Sequence, residues 1–192
     1  MKTSRIYFKL SIVLFSLCFV NTNLHAQEQT EISETTTTAI TVTNHSISTE
    51  ILALTYNYEY ALGTKCSVVG RLGLQSGLGY NSTFGTRYTI HPGISIEPRY
   101  YYNLQKREQK GKRTNKNSAN YLALTSWYIL DPIVEHNSTG NSLFLIAPNW
   151  GIRRVYGNAF LLEFNTGISY SIDEYKTEDW NLLLNLRVGY VF

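Results

Sequence analysis

The chain has 192 residues, with 17 Lys and Arg against 14 Asp and Glu for a formal charge of +3. That is enough length for one domain with a sizeable closed sheet and too little positive charge for a nucleic-acid footprint. Charged residues are sparse at 16% and Tyr is abundant at 15, a composition suited to strands and to membrane–water interfaces, although a soluble β-sandwich gives similar totals.

The first 26 residues read as a secretory signal peptide: Lys2, Arg5 and Lys9 precede an apolar run from Leu10 to Val20, and Leu24-His25-Ala26 offers a cleavage site before Gln27. The run is too short to span a bilayer. Cys18 raises a lipoprotein alternative, but the bulky Leu17 before it is wrong for a lipobox. Cleavage leaves Cys66 as the only cysteine, which excludes an intramolecular disulfide and a cysteine metal cluster and suggests a small apolar residue on an outer face. Residues 27–38, rich in Glu and Thr, read as a flexible lead, and 39–192 as one barrel domain.

From there the chain alternates with period two almost to its end, the signature of strands with two unlike faces. The weak Thr-rich stretch 39–47 is taken as a first strand, with Ile40 and Val42 on one face. Segment 51–62 sets Leu52, Leu54, Tyr56, Tyr58 and Tyr60 against Thr55, Asn57 and Glu59, and Gly63-Thr64-Lys65 turns it into 66–80 as a hairpin. Segment 88–104 sets Tyr88, Ile90, Ile94, Ile96, Tyr100, Tyr102 and Leu104 against His91, Ser95, Glu97, Arg99 and Tyr101; 119–130 is strand-like with no clear face. Segments 143–153, 159–171 and 181–192 complete a count of eight.

The polar face of these strands is small, rich in Gly, Ser and Asn, with isolated charges. The apolar face carries aromatics toward strand ends, at Tyr80, Tyr88, Tyr100, Tyr102, Tyr170 and Tyr190. Runs of about 9–11 residues suffice to cross a bilayer at a tilt, and these reach that length. The predicted fold is therefore all-β: a closed antiparallel up-and-down transmembrane barrel of about eight strands, apolar side out. Pro92, Pro98 and Pro148 fall on the apolar face, where a missing ladder donor predicts bulges or kinks. The last strand ends in Tyr190-Val191-Phe192; a terminal Phe there resembles the signal read by barrel assembly machinery, which with outer-membrane lipid is the expected partner of a monomeric chain.

With the apolar side out, Glu59, Arg71, Glu97, Arg99, Glu163 and Arg187 point inward, a balanced set expected to form a lumen charge network, with His91 and Arg153 nearer the ends. Eight strands leave an interior just wide enough for side chains to fill. A structural plug is the plainer reading of these groups and a narrow polar pore the sharper one. With Phe192 at the periplasmic end, 79–87, 131–142 and 171–180 become extracellular. The basic run Lys106, Arg107, Lys110, Lys112, Arg113 and Lys116 falls on the periplasmic side, as a solvated loop or a contact to anionic head groups. No serine or acid stands at a persuasive spacing from His45, His91 or His136, and no metal, phosphate-loop or dinucleotide pattern appears, so neither an enzyme nor a cofactor is expected. A membrane-embedded lipid-modifying enzyme would require His91 beside a Ser or an acid.

The stretches Glu97-Pro98-Arg99-Tyr100-Tyr101-Tyr102-Asn103-Leu104, Asn117-Ser118-Ala119-Asn120-Tyr121-Leu122-Ala123-Leu124 and Trp150-Gly151-Ile152-Arg153-Arg154 resemble those of an uncharacterised family of small bacterial outer-membrane β-barrel proteins. The likeness covers roughly Ile51 to Phe192. It implies the barrel fold and a Gram-negative outer-membrane location, with no activity or functional residue to carry over. The expected role is structural, interaction or envelope maintenance, with small-solute transport as the alternative.

Overall fold

The computed structural model describes residues 39–82 and 85–192; the expected signal peptide and the lead, 27–38, lie outside them. Among the described residues, nine antiparallel strands form one sheet: β1 Asn44–Glu50, β2 Ala53–Ala61, β3 Cys66–Asn81, β4 Gly85–Tyr100, β5 Asn120–Ile129, β6 Val134–His136, β7 Leu143–Tyr156, β8 Phe160–Asp173 and β9 Glu178–Val191. A short helix, α1, Leu104–Gln109, and a single 3-10 turn, Asn115–Asn117, lie between β4 and β5. Pairing of β1 with β9 and of β3 with β4 closes the sheet into an eight-strand barrel, while the three-residue β6 pairs only with Tyr88–Ile90 of β4. Following paired residues once around from Tyr156 returns to Phe144 on the same strand, a stagger of 12 residues. Such a stagger goes with strongly tilted strands.

Side-chain parity runs as the alternation predicts. Tyr56, Tyr58, Leu72, Ile94, Ile96, Ile168, Leu182, Leu184 and Leu186 are exposed on the outside, and Asn57, Glu59, Arg71, Glu97, Arg99, Glu163 and Arg187 are buried inside. Ten of the outer aromatics fall in two belts. Tyr60, Tyr102, Tyr156, Phe160 and Tyr190 ring the end that carries the C-terminus, and Tyr80, Tyr88, Tyr128, Phe144 and Trp180 ring the other. Ten residues separate Trp180 from Tyr190 on β9; at ~3.3 Å per residue and ~45° of tilt that spans ~23 Å.

Four expectations are corrected. The first strand is Asn44–Glu50, not 39–47: Asn44, Ser46 and Ser48 face inward, and Ile51-Leu52 is the two-residue turn into β2. Ile40 and Val42 instead precede the strand and are exposed. The fourth strand ends at Tyr100, and Leu104, expected outside, is 1% exposed at the start of α1. Cys66 takes the outward parity but is 6% exposed.

The prolines, finally, cause no bulge. Pro98 stays in register with Val68, Pro92 with Leu74 and Pro148 with Leu124. The β4–β5 ladder lapses between Ile96 and Arg99 and ends at Gly93, and the β7–β8 ladder lapses between Ile146 and Asn149. Each missing N–H therefore points into a gap in the pairing, so a ladder bond is lost while the register is kept.

Candidate functional site: a charged lumen closed at one end

Every barrel strand except β5 contributes a charged side chain to the lumen. Arg71 on β3 grips Glu97 on β4 with both terminal guanidinium nitrogens, Nη1 at 3.0 Å and Nη2 at 2.7 Å. Two residues along β4, on the same inward face, Arg99 donates to Glu97 through Nε at 2.6 Å and forks onto Glu163 of β8 at 3.0 and 2.7 Å. Glu163 also accepts from Arg153 of β7 at 3.1 Å and from Arg187 of β9 at 2.8 Å. Arg187 in turn donates through Nε to Glu50 at the end of β1, at 2.6 Å. Glu59 of β2 takes hydrogen bonds from Ser67 at 2.6 Å and Tyr101 at 2.7 Å, and lies 3.9 Å from Arg153.

All six residues singled out from the sequence are thus in one network, and two more join them: Arg153, expected nearer an end, and Glu50. Four acids meet four arginines, so the network is neutral. β5 adds uncharged support. Thr125 donates to Glu97, and Asn149 donates to Thr125 at 2.9 Å. The Tyr121 ring lies under the Arg99 guanidinium at 4.2 Å. Tyr121 fits because Gly151 faces it across the β5–β7 ladder; a Cβ on Gly151 would fall 2.2 Å from Tyr121 Cζ. Gly151→Ala is expected to cost about 1–3 kcal/mol by overpacking, read as a lowered urea midpoint of the folded barrel. The void left beside Asn57 and Arg187 is about 10 Å³, room for about one water molecule.

Below this network, the basic stretch expected as a solvated loop packs across the end of the barrel. Tyr101, Leu104, Ala119, Tyr121 and Ala39 form a buried cluster there. The Asn117 side-chain amide clasps Val42, accepting from its N–H and donating to its carbonyl, each at 2.8 Å. Lys116 and Asn117 hold left-handed backbone, φ 49° and 60°, which turns the chain back toward β5. Ser118 Oγ accepts from Val155 N at 3.1 Å, Lys116 Nζ reaches the Val191 carbonyl at 2.6 Å, and Arg113 reaches the Gly157 carbonyl at 2.9 Å. Burial, with the Glu59 carboxylate alongside, pushes the Tyr101 phenol well above its ordinary range, so Tyr101 stays a donor. Lys106, Lys110 and Lys112 remain exposed on this cap.

The cap was missed because a six-residue helix is too short to show a period of 3.6. Its signal was present in Tyr101 and Leu104, apolar groups three residues apart at the start of a basic run.

His91 sits at the opposite mouth, its Nδ1 3.0 Å from the Leu130 carbonyl. Among the described residues, no group of His, Cys, Asp and Glu is arranged to hold a metal ion. Comparison with family models, curated proteins and solved structures finds no match for this chain.

Proposed function

We propose that this chain is an integral outer-membrane barrel whose lumen is filled by side chains, serving a structural, interaction or envelope-maintenance role and carrying out no chemistry of its own. One observation carries the reading: the polarity is inside out. The exposed surface is a band of Leu, Ile and Tyr between two aromatic belts, and the interior holds three buried Glu, four buried Arg and the half-buried Glu50. In water that band would be a very large apolar patch; in a bilayer it matches the ~25 Å apolar height of membrane barrels.

Cell fractionation and gel mobility with and without boiling test this reading. Recovery with outer membranes in detergent, with a folded band that shifts on heating, is expected. Recovery as a soluble protein with no shift would sink it.

The rival reading, a small-solute pore, needs a polar path through the lumen. The Arg71–Glu97–Arg99–Glu163 chain crosses the lumen and the 101–119 cap lies over one mouth, so the reconstituted barrel is expected to show no steady conductance in a planar bilayer. Stable single-channel steps in the wild type would favour the pore.

A further inference from the structure

The barrel wall is not equally tall all round. β1 and β2 join through the tight Ile51-Leu52 turn, whereas their neighbours continue. β9 pairs with β1 only over Val188–Val191, and β3 pairs with β2 only up to Gln75. Above those points β9 and β3 face each other across a notch. Three inter-strand spacings of ~4.8 Å put about 14 Å between the two strands there. Phe192 N donates to His45 O and Ser76 N to Leu52 O. By the same alternation, the backbone groups of Leu182 and Leu184 on one side and of Leu78 and Tyr80 on the other point into the notch. Among the described residues, those groups have no ladder partner on that side.

At membrane depth, exposed backbone of this kind is tolerated only where it is covered or lines an accessible cavity. Behind the notch there is accessible space. Leu145, Gly167, Leu183 and Asn185 face inward yet are partly exposed, and Glu50 is 21% exposed, whereas Arg71 and Glu97 below them are buried. The cup thus has the charge network as its floor, and Leu145 and Leu183 give it an apolar wall. Its rim carries Asp131, Glu135, Asp173, Glu174, Glu178 and Asp179 against Arg87 and Lys176.

We infer that the notch is a side entrance through which this cup takes the alkyl chain of a membrane amphiphile with an uncharged or cationic head. The apolar wall accepts the chain, and the acidic rim disfavours an anionic head. This rests on the membrane reading above.

The test uses the full barrel folded into phosphatidylcholine vesicles containing an alkyl maltoside with a diazirine in its chain, photolysed and mapped by mass spectrometry. Adducts are expected on the inward residues Leu145 and Leu183 as well as on the outward Leu182 and Leu184. Replacing the maltoside head by a sulfate should weaken the inward adducts. They should be lost when an alternating polar–apolar insert between Ile51 and Leu52 raises the wall; the unmodified chain carries the test by itself if that variant does not fold. Failure of the chain to float with vesicles would overturn the membrane reading and this site together. Flotation with adducts confined to outward residues, or inward adducts indifferent to head charge, would overturn the site alone.

Discussion

Glu163→Gln is expected to destabilise the barrel by about 3–5 kcal/mol, the usual cost of removing one partner from a buried ion network. Glu163 is the carboxylate that three guanidinium groups share, from Arg99, Arg153 and Arg187. Each keeps one other carboxylate without it: Arg99 has Glu97 at 2.6 Å, Arg153 has Glu59 at 3.9 Å, and Arg187 has the half-buried Glu50 at 2.6 Å. Glutamine fills the same space but turns two N–H donors toward groups that are themselves donors, and leaves the lumen with an excess positive charge. Urea unfolding of the vesicle-folded barrel reads the loss as a lowered midpoint. Adding Arg99→Gln restores neutrality and should cost less than the sum of the two single changes. A Glu163→Gln midpoint equal to wild type would mean that the network contributes nothing to stability.

Leu184→Arg is expected to cost about 2–4 kcal/mol, the penalty for a cation near the midplane on a lipid-facing strand. Leu184 lies in the middle of β9, opposite Thr166, and is 63% exposed. An exposed Leu→Arg change on a soluble protein would be close to neutral, so this substitution separates lipid from water. Leu184→Ala, which adds no charge, should cost much less. Normal assembly and unchanged stability of Leu184→Arg would count heavily against insertion.

Much of the architecture was legible because a barrel wall obeys one rule along its whole length: alternate residues meet alternate solvents. That rule alone assigns Leu182, Leu184 and Leu186 outward and Arg187 and Glu163 inward. Where the rule stops, the sequence is less informative. The residues from Tyr101 to Ala119 leave the sheet, and their burial depends on contacts from Ala39 and Val42, which are distant in the chain. The start of β1 is masked because its inward side chains, Asn44, Ser46 and Ser48, resemble the Thr-rich lead before them.

Register carried the rest. Arg153 is paired with Glu163, and Glu163 with Arg187, so three charges lie side by side on adjacent strands. The short turn between Tyr156 and Phe160 fixes the first of those pairings, and counting back from it would have drawn Arg153 into the network. Glu50 was harder to place, because its inward position depends on where β1 begins. The prolines misled because a missing donor implies distortion, whereas here each missing N–H faces a gap in the neighbouring ladder and the register is kept.

In the proposed barrel the leucines of β9 face lipid. The most direct measurement places a nitroxide, one position at a time from Leu182 to Arg187, on a Cys66→Ser background in the vesicle-folded barrel, and compares collisions with oxygen and with a water-soluble nickel chelate. Oxygen access is expected to be high at 182, 184 and 186 and low between them, with the chelate excluded from the high positions. Equal access to the chelate at 182, 184 and 186 would place that face in water and rule out a lipid-facing β9.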